Sequence, residues 1–159
     1  MKTIENGMRV LEFSDAEAVC NHVNQVCIDT ERLYHPNFHF WLAQEYNVDI
    51  VQERIVAEHA LGFFKNGQLV GTGFIDLKTG WISGVYVSLQ GEGIGSKILD
   101  DLISVTVGTD LTNILASVHP TGGSMRHLLL QKGFVNVGID PHRIYFPDVS
   151  FEVFDKPCV

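Results

Sequence analysis

Apolar positions along the chain follow two periods. Ala16, Val19, Cys20, Val23, Val26 and Cys27 share one face of a helix, and Ser14 and Glu17 just ahead of them stand at capping-box spacing. "MRVLEF", residues 8 to 13, reads as a short strand before them, and "VDIVQERIVAEH", from 48, returns to the helical period. Between these, "TERLYHPNFHFWLAQEYN" (30 to 47) is rich in aromatics and has no clean period, which predicts a loop. Strands follow. "ALGFFK" and "QLVGTGFIDL" flank Asn66-Gly67, a strong hairpin signal, and "KTG" turns the chain into "WISGVYV".

A helix comes next, with Ile94, Ile98, Leu99, Leu102 and Ile103 inward and Lys97, Asp100 and Asp101 outward. "NILASV" (113 to 118) is an apolar strand ending at His119-Pro120. "SMRHLLLQK" is a helix that Gly133 stops, and "FVNVGI" and "IYFPDVSFEVF" supply two last strands. The order β-α-α-β-β-β-α-β-α-β-β predicts a meander running into a β-α-β unit: a mixed sheet flanked by helices, in one domain over residues 1–159.

Composition adds exclusions. The charge of −8 argues against a nucleic-acid binder, which needs a basic face, and is compatible with a cationic substrate. The first residues contain no apolar leader, and no apolar run approaches the ~20 residues a membrane span needs, so a cytoplasmic protein is expected. Cys20 and Cys27, on one helix face, lie roughly 10 Å apart at about 1.5 Å per residue, too far for a disulfide. Cys158 stands near the end, and no Cys/His ligand spacing points to a metal.

The chemistry concentrates at "VYVSLQGEGIGSKILDDLI", where a strand meets Gly91, Gly93 and Gly95 and then a helix. Such a junction is an anion site: unpaired N–H groups and the helix dipole face the ligand, and glycine lets a phosphate approach the backbone. A Walker A loop does not fit, because Gly95-Ser96-Lys97 reverses the required Lys and Ser. A dinucleotide fingerprint starting at Gly91 fails at Ser96. The run from Gln90 through Gly91, Glu92, Gly93 and Ile94 to Gly95 does match Q/R-x-x-G-x-G/A, and "QKGF" (131 to 134) follows at the end of a later helix. On these motifs and the element order, the chain resembles the GNAT superfamily of CoA-dependent N-acyltransferases over nearly its whole length.

The resemblance implies an α/β (α+β) fold whose mostly antiparallel central sheet has splayed fourth and fifth strands. It implies acetyl-CoA as co-substrate, with the main chain near Val85 and Val87 pairing with the pantetheine arm. Amides of Gln90, Gly91, Glu92, Gly93, Ile94, Gly95 and Ser96 would hold the pyrophosphate. The acceptor would be a primary amine, on a small molecule or a peptide, attacking the thioester directly. The turn before Gln90 is about two residues shorter than the family's and lacks its proline. The family's usual acid, a tyrosine in the helix before "K-x-G-F", corresponds to Leu129, and "WISGVYV" offers no glutamate.

Substitutes are few. His119, at the end of the fifth strand, is either a general base or a strand-end histidine satisfied by a loop. Ser124 either positions a thiolate or water or caps the helix that follows. Tyr86 reads as packing and Tyr145 as a weaker acid candidate. Tyr34, His35, Phe38 and His39 fall where the family's acceptor loop lies, and their alternative is a packed loop. Two further readings stand beside the enzyme: a catalytically silent CoA-binding or sensing module, and a structural partner with no CoA site. The terminal strands leave a homodimer possible.

Overall fold

The computed structural model describes residues 4–29, 37–119, 122–140 and 149–158, with backbone alone at Phe38 and His39. Seven strands form one sheet: β1 (Gly7–Val10), β2 (His59–Lys65), β3 (Gln68–Ile75), β4 (Trp81–Val87), β5 (Asn113–Val118), β6 (Val135–Ile139) and β7 (Glu152–Pro157). Their order across the sheet is β1-β2-β3-β4-β5-β7-β6. Among the described residues only the β4–β5 pair is parallel. The mixed, mostly antiparallel sheet is the one expected.

Helices cover both faces. Alongside β4, α1 (Ala16–Asp29), α2 (Phe38–Glu45) and α3 (Val48–Ala57) pack on one side; α4 (Ile94–Ser104) and α5 (Gly123–Gln131) pack on the other. The first core joins Val19, Val23, Leu42 and Val51 to Phe74 and Tyr86. The second joins Ile94, Ile98, Leu102 and Leu129 to Ile75, Ile114 and Phe154. β3 is buried along all but its first residue, as a central strand between two helical layers must be.

Three local expectations change. The segment from 30 to 47 is not all loop: residues Phe38–Glu45 form α2. Its apolar residues do not share a face, since Phe40 is exposed while Leu42 is buried, so no period announced it. At the start of α1 the capping residues are not Ser14 and Glu17. The Glu12 amide donates to the Asp15 carboxylate at 2.6 Å, a short 3-10 turn precedes Ala16, and Arg9 bonds the same carboxylate at 2.7 Å. That guanidinium holds the Asp15 carboxyl below the ordinary carboxylate range. The final strand begins only at Glu152, and residues 141–148 lie outside the described residues. The hairpin is as expected: Asn66 and Gly67 both take positive φ, 53° and 77°, as a type I′ turn demands.

Candidate active site

β4 and β5 pair at two positions only, Trp81 with Leu115 and Ile82 with Ala116. Beyond Ile82 the strands part. The cause is a bulge in β4. Phe74 pairs with Ser83 and Thr72 with Tyr86, so Gly84 and Val85 stand opposite Gly73 alone. Gly84 takes φ 63°, and a Cβ there would lie 2.8 Å from the Phe74 ring and 3.0 Å from the Tyr46 hydroxyl, so the bulge requires glycine. Two bonds fix it. Thr72 Oγ1 donates to the Gly84 carbonyl at 2.8 Å, and His22 Nε2, buried on α1, donates to the Tyr86 carbonyl at 2.9 Å. Burial lowers the His22 pKa, which keeps that imidazole neutral.

At the end of β4 the chain enters the glycine loop. Gly91 and Gly93 have φ 80° and 72°, and where a Cβ would stand on either there is open space. The first helical bond of α4 runs from the Lys97 amide to the Gly93 carbonyl at 3.1 Å. Gly93 holds the N-cap position and has no side chain to cap the amides of Ile94, Gly95 and Ser96. These outward donors with no Cβ over them fit an anion. Gly95 differs: a Cβ there would make only ordinary contacts with Leu128 and Val87, at 3.5 and 3.6 Å, so packing does not require glycine at that position. Ile94 is buried and offers only its amide. Glu92, a carboxylate in this anion loop, is ion-paired with Lys65 from the β2–β3 hairpin. Gln90 Nε2 donates to the Val87 carbonyl at 2.9 Å, so of the two residues expected to meet pantetheine, Val87 already has its carbonyl engaged.

Two cavities flank the splay. The smaller, about 100 Å³, includes Val85, Val118 and Met125 in its wall. The larger, about 650 Å³, opens toward α2 and α3 and the β3–β4 turn, with Trp41, Tyr46, Arg54 and Trp81 among its walls. They share Ile82, Ser83, Gly84, Tyr86, Ser117 and His119. A group entering from one side and a group entering from the other would therefore meet between the β4 bulge and the end of β5.

Behind that meeting place is a polar cluster that no sequence spacing announced. Arg54 donates through Nε to Glu58 at 2.8 Å and through Nη2 to the Ser83 hydroxyl. Its guanidinium carbon lies 4.4 Å from the Phe74 ring centre and 5.6 Å from that of Tyr46. Tyr46 is edge-on to Trp41 at 5.7 Å and to Tyr86 at 5.8 Å. Burial opposes the Arg54 charge, but Tyr46 and Glu58 outweigh it and its pKa rises further. Burial also pushes the Tyr46 phenol above its ordinary pKa, with Arg54 pulling the other way.

His119 is half-buried in the shared wall, edge-on to Phe151 at 4.9 Å. Its neighbour Ser117 donates to Asp140 at 3.3 Å. Ser124 is exposed in the first turn of α5 and lines neither cavity, and Gly122 rather than Ser124 holds the N-cap position. Leu129 is wholly buried in the core beneath α5. Tyr34, His35 and Tyr145 lie outside the described residues, as do the side chains of Phe38 and His39, whereas Trp41, Glu45 and Tyr46 from the same aromatic segment do line the larger cavity. Among the described residues no group of three or more metal-ligating side chains occurs, and no helix is long and apolar enough to cross a membrane.

No protein-family model matches the chain, and no curated protein sequence does. Solved structures match over almost the full length. The PaiA N-acetyltransferase from Thermoplasma acidophilum, in complex with coenzyme A, is 16% identical, with a TM-score of 0.78 over 98% of this chain and 99% of that one. YncA from Salmonella typhimurium, with acetyl-CoA, is 16% identical, with a TM-score of 0.74 over 99% and 95%. A GNAT-family acetyltransferase from Streptococcus pneumoniae is 17% identical, with a TM-score of 0.74 over 96% and 98%. The fold is therefore the GNAT fold, splayed β4–β5 pair included.

Proposed function

We propose that the protein is an acetyl-CoA-dependent N-acetyltransferase that acetylates a primary amine, of a small molecule or a peptide, by direct attack. The observation that carries this reading is the junction of three features: a glycine loop with outward, uncapped amides, a splay that β4 and β5 leave open, and a cavity of about 650 Å³ reaching the same gap from the other side. Solved relatives of this fold hold CoA or acetyl-CoA, which supports the assignment of the loop to a pyrophosphate.

In this reading the amides from Gly91 to Ser96 bind the pyrophosphate, and Val85 offers main-chain groups to the pantetheine arm. The thioester reaches the gap from the side of Met125, and the amine arrives through the larger cavity. Holding the two together supplies much of the rate, since a neutral amine is already a good nucleophile. The amine nitrogen bonds the acyl carbon, the carbon–sulfur bond breaks, and the sulfur leaves as the thiolate. His119, in the wall that both cavities share, takes the proton the nitrogen sheds, directly or through water. Ser124 has no part in this reading.

Leu129 favours a second reading, a silent CoA-binding module, because the family's usual acid is replaced there by a buried hydrocarbon. Calorimetry with CoA, followed by release of free thiol from acetyl-CoA across a panel of primary amines, separates the two. Binding with amine-dependent thiol release is expected. Binding without release from any amine makes the protein a sensor, and no binding ends both readings.

A further inference from the structure

The acyltransferase reading leaves the acyl oxygen with no side chain to receive the charge it gains. We propose that the Tyr46 hydroxyl is that donor: it points at the β4 bulge from the acceptor side and hydrogen-bonds the thioester oxygen as the amine attacks. The proposal rests on the acetyltransferase reading above and adds a residue to it.

Three observations converge. The first is position. The Tyr46 hydroxyl lies 3.0 Å from where a Cβ on Gly84 would stand, so the absence of a side chain at the bulge is what gives the hydroxyl its space. Gly84 and its neighbour Ser83 belong to the wall common to both cavities. The second is direction. Tyr46 lines the larger cavity and is absent from the wall of the smaller one. It therefore approaches the gap from the amine's side, where the oxygen of a thioester entering from the opposite side would be within its reach. A role as proton donor to the thiolate does not fit that side.

The third is support. Trp41 and Tyr86 hold the ring edge-on, and Arg54, tied to Glu58 and to Ser83, places a fixed positive charge behind it. A preorganised donor in a partly dry site acts more strongly than the same donor in water. The titratable and charged groups around Tyr46 are Cys27 on α1, Glu45 on α2, Arg54 on α3, Glu58 just after it, Tyr86 on β4 and, elsewhere in the cavity wall, Asp76, His119 and Asp140. With its pKa raised by burial, the phenol is neutral near pH 7 and carries the proton a donor needs.

The electron count is simple. The nitrogen lone pair forms the C–N bond, and the carbonyl π pair moves to oxygen, which strengthens its bond from Tyr46. The pair returns as the C–S bond breaks. Tyr46 keeps its proton throughout, and the nitrogen's proton leaves by way of His119 or water.

Tyr46→Phe tests this, because it keeps the ring and its packing and removes only the hydroxyl. With the best amine of the panel, kcat should fall roughly 10²–10³-fold, the range for loss of one such donor. CoA affinity and both KM values should stay within about threefold, as expected for a bond that is weak to the ground-state carbonyl and strengthens in the transition state. A second readout needs no turnover. The infrared band of an isotope-labelled thioester carbonyl, in bound acetyl-CoA, should rise in Tyr46→Phe. It should fall below the wild-type value when a fluorinated, more acidic tyrosine replaces Tyr46. An unmoved band and an unchanged kcat in a variant that binds CoA overturn the role of Tyr46 alone. A raised acceptor KM at unchanged kcat also overturns it, making Tyr46 part of the amine's binding wall. Failure of the wild-type protein to bind CoA overturns the acetyltransferase reading, and this proposal with it.

Discussion

The two ends of the β4–β5 gap are built from different material. At the glycine loop the groups proposed to hold the ligand are main-chain amides, presented by Gly91, Gly93 and the first turn of α4, all within a few residues of one another. At the bulge they are side chains brought from three places: Tyr46 from the end of α2, Arg54 from α3, and Ser83 and His119 from the gap itself. A backbone site tolerates almost any neighbouring side chain, provided the glycines remain. A side-chain site depends on every member being in place. The loop should therefore fail by loss of binding, and the bulge end by loss of rate.

The largest expected effect lies at the bulge end. His119→Ala should lower kcat by roughly 10²–10⁴-fold if the imidazole carries the proton from the amine. CoA affinity should be unchanged, because His119 lies outside the loop proposed to bind it. A kcat within about twofold of wild type, in steady-state assays, would leave a water chain as the base and His119 as a wall held against Phe151.

The loop end should break the other way. Gly93→Val puts a β-branched side chain at φ 72° and into the open space where a phosphate would lie. No protein atom is within 4 Å of the new Cβ, so the core packing is untouched and the variant should fold. CoA affinity should drop by roughly 10–100-fold, from strain on the loop and obstruction of its amides. Calorimetry beside a thermal melt reads both quantities. Intact affinity in a folded variant would remove the pyrophosphate from this loop and blur the contrast between the two ends.

The same contrast explains what could be read from the chain in advance. Glycine spacing is a local signal, and the strand, the loop and α4 were all visible in nineteen consecutive residues, 85 to 103. The hairpin at Asn66-Gly67 was visible for the same reason. Of the bulge end, only His119 was. Arg54 and Ser83 lie 29 positions apart, and nothing in either neighbourhood names the other. α2 was hidden because its apolar residues do not keep to one face. Two hints existed. Gly84 stands inside a strand, which is how a bulge is often marked. Arg54 sits inside a helical apolar pattern, where a charge needs a buried partner. Ser124 is the opposite case: residue type and position in sequence suggested a role, and the structure places it exposed in the first turn of α5, outside the walls of both cavities.

Glu92 is where the backbone end does depend on side chains, and it carries the smallest expected effect. If the loop binds phosphate as proposed, its carboxylate should repel that group, yet Lys65 reaches across from the β2–β3 hairpin and pairs with Glu92. The pair masks the negative charge and also occupies a lysine that could face the phosphate. Both side chains are well exposed, at 46% and 40%, so solvent and salt screen the interaction strongly. Glu92→Gln should remove the repulsion and free Lys65, tightening CoA binding by roughly two- to fivefold at low ionic strength. Lys65→Ala should weaken binding by a similar factor, since it leaves the carboxylate uncompensated. Both changes should shrink as salt is added, and neither should move kcat, because neither side chain lines the cavities that meet at the bulge. Titrations with CoA at low and high salt decide it. If Glu92→Gln binds CoA no better than wild type at low salt, the carboxylate does not face the phosphate, and the loop works through its amides alone.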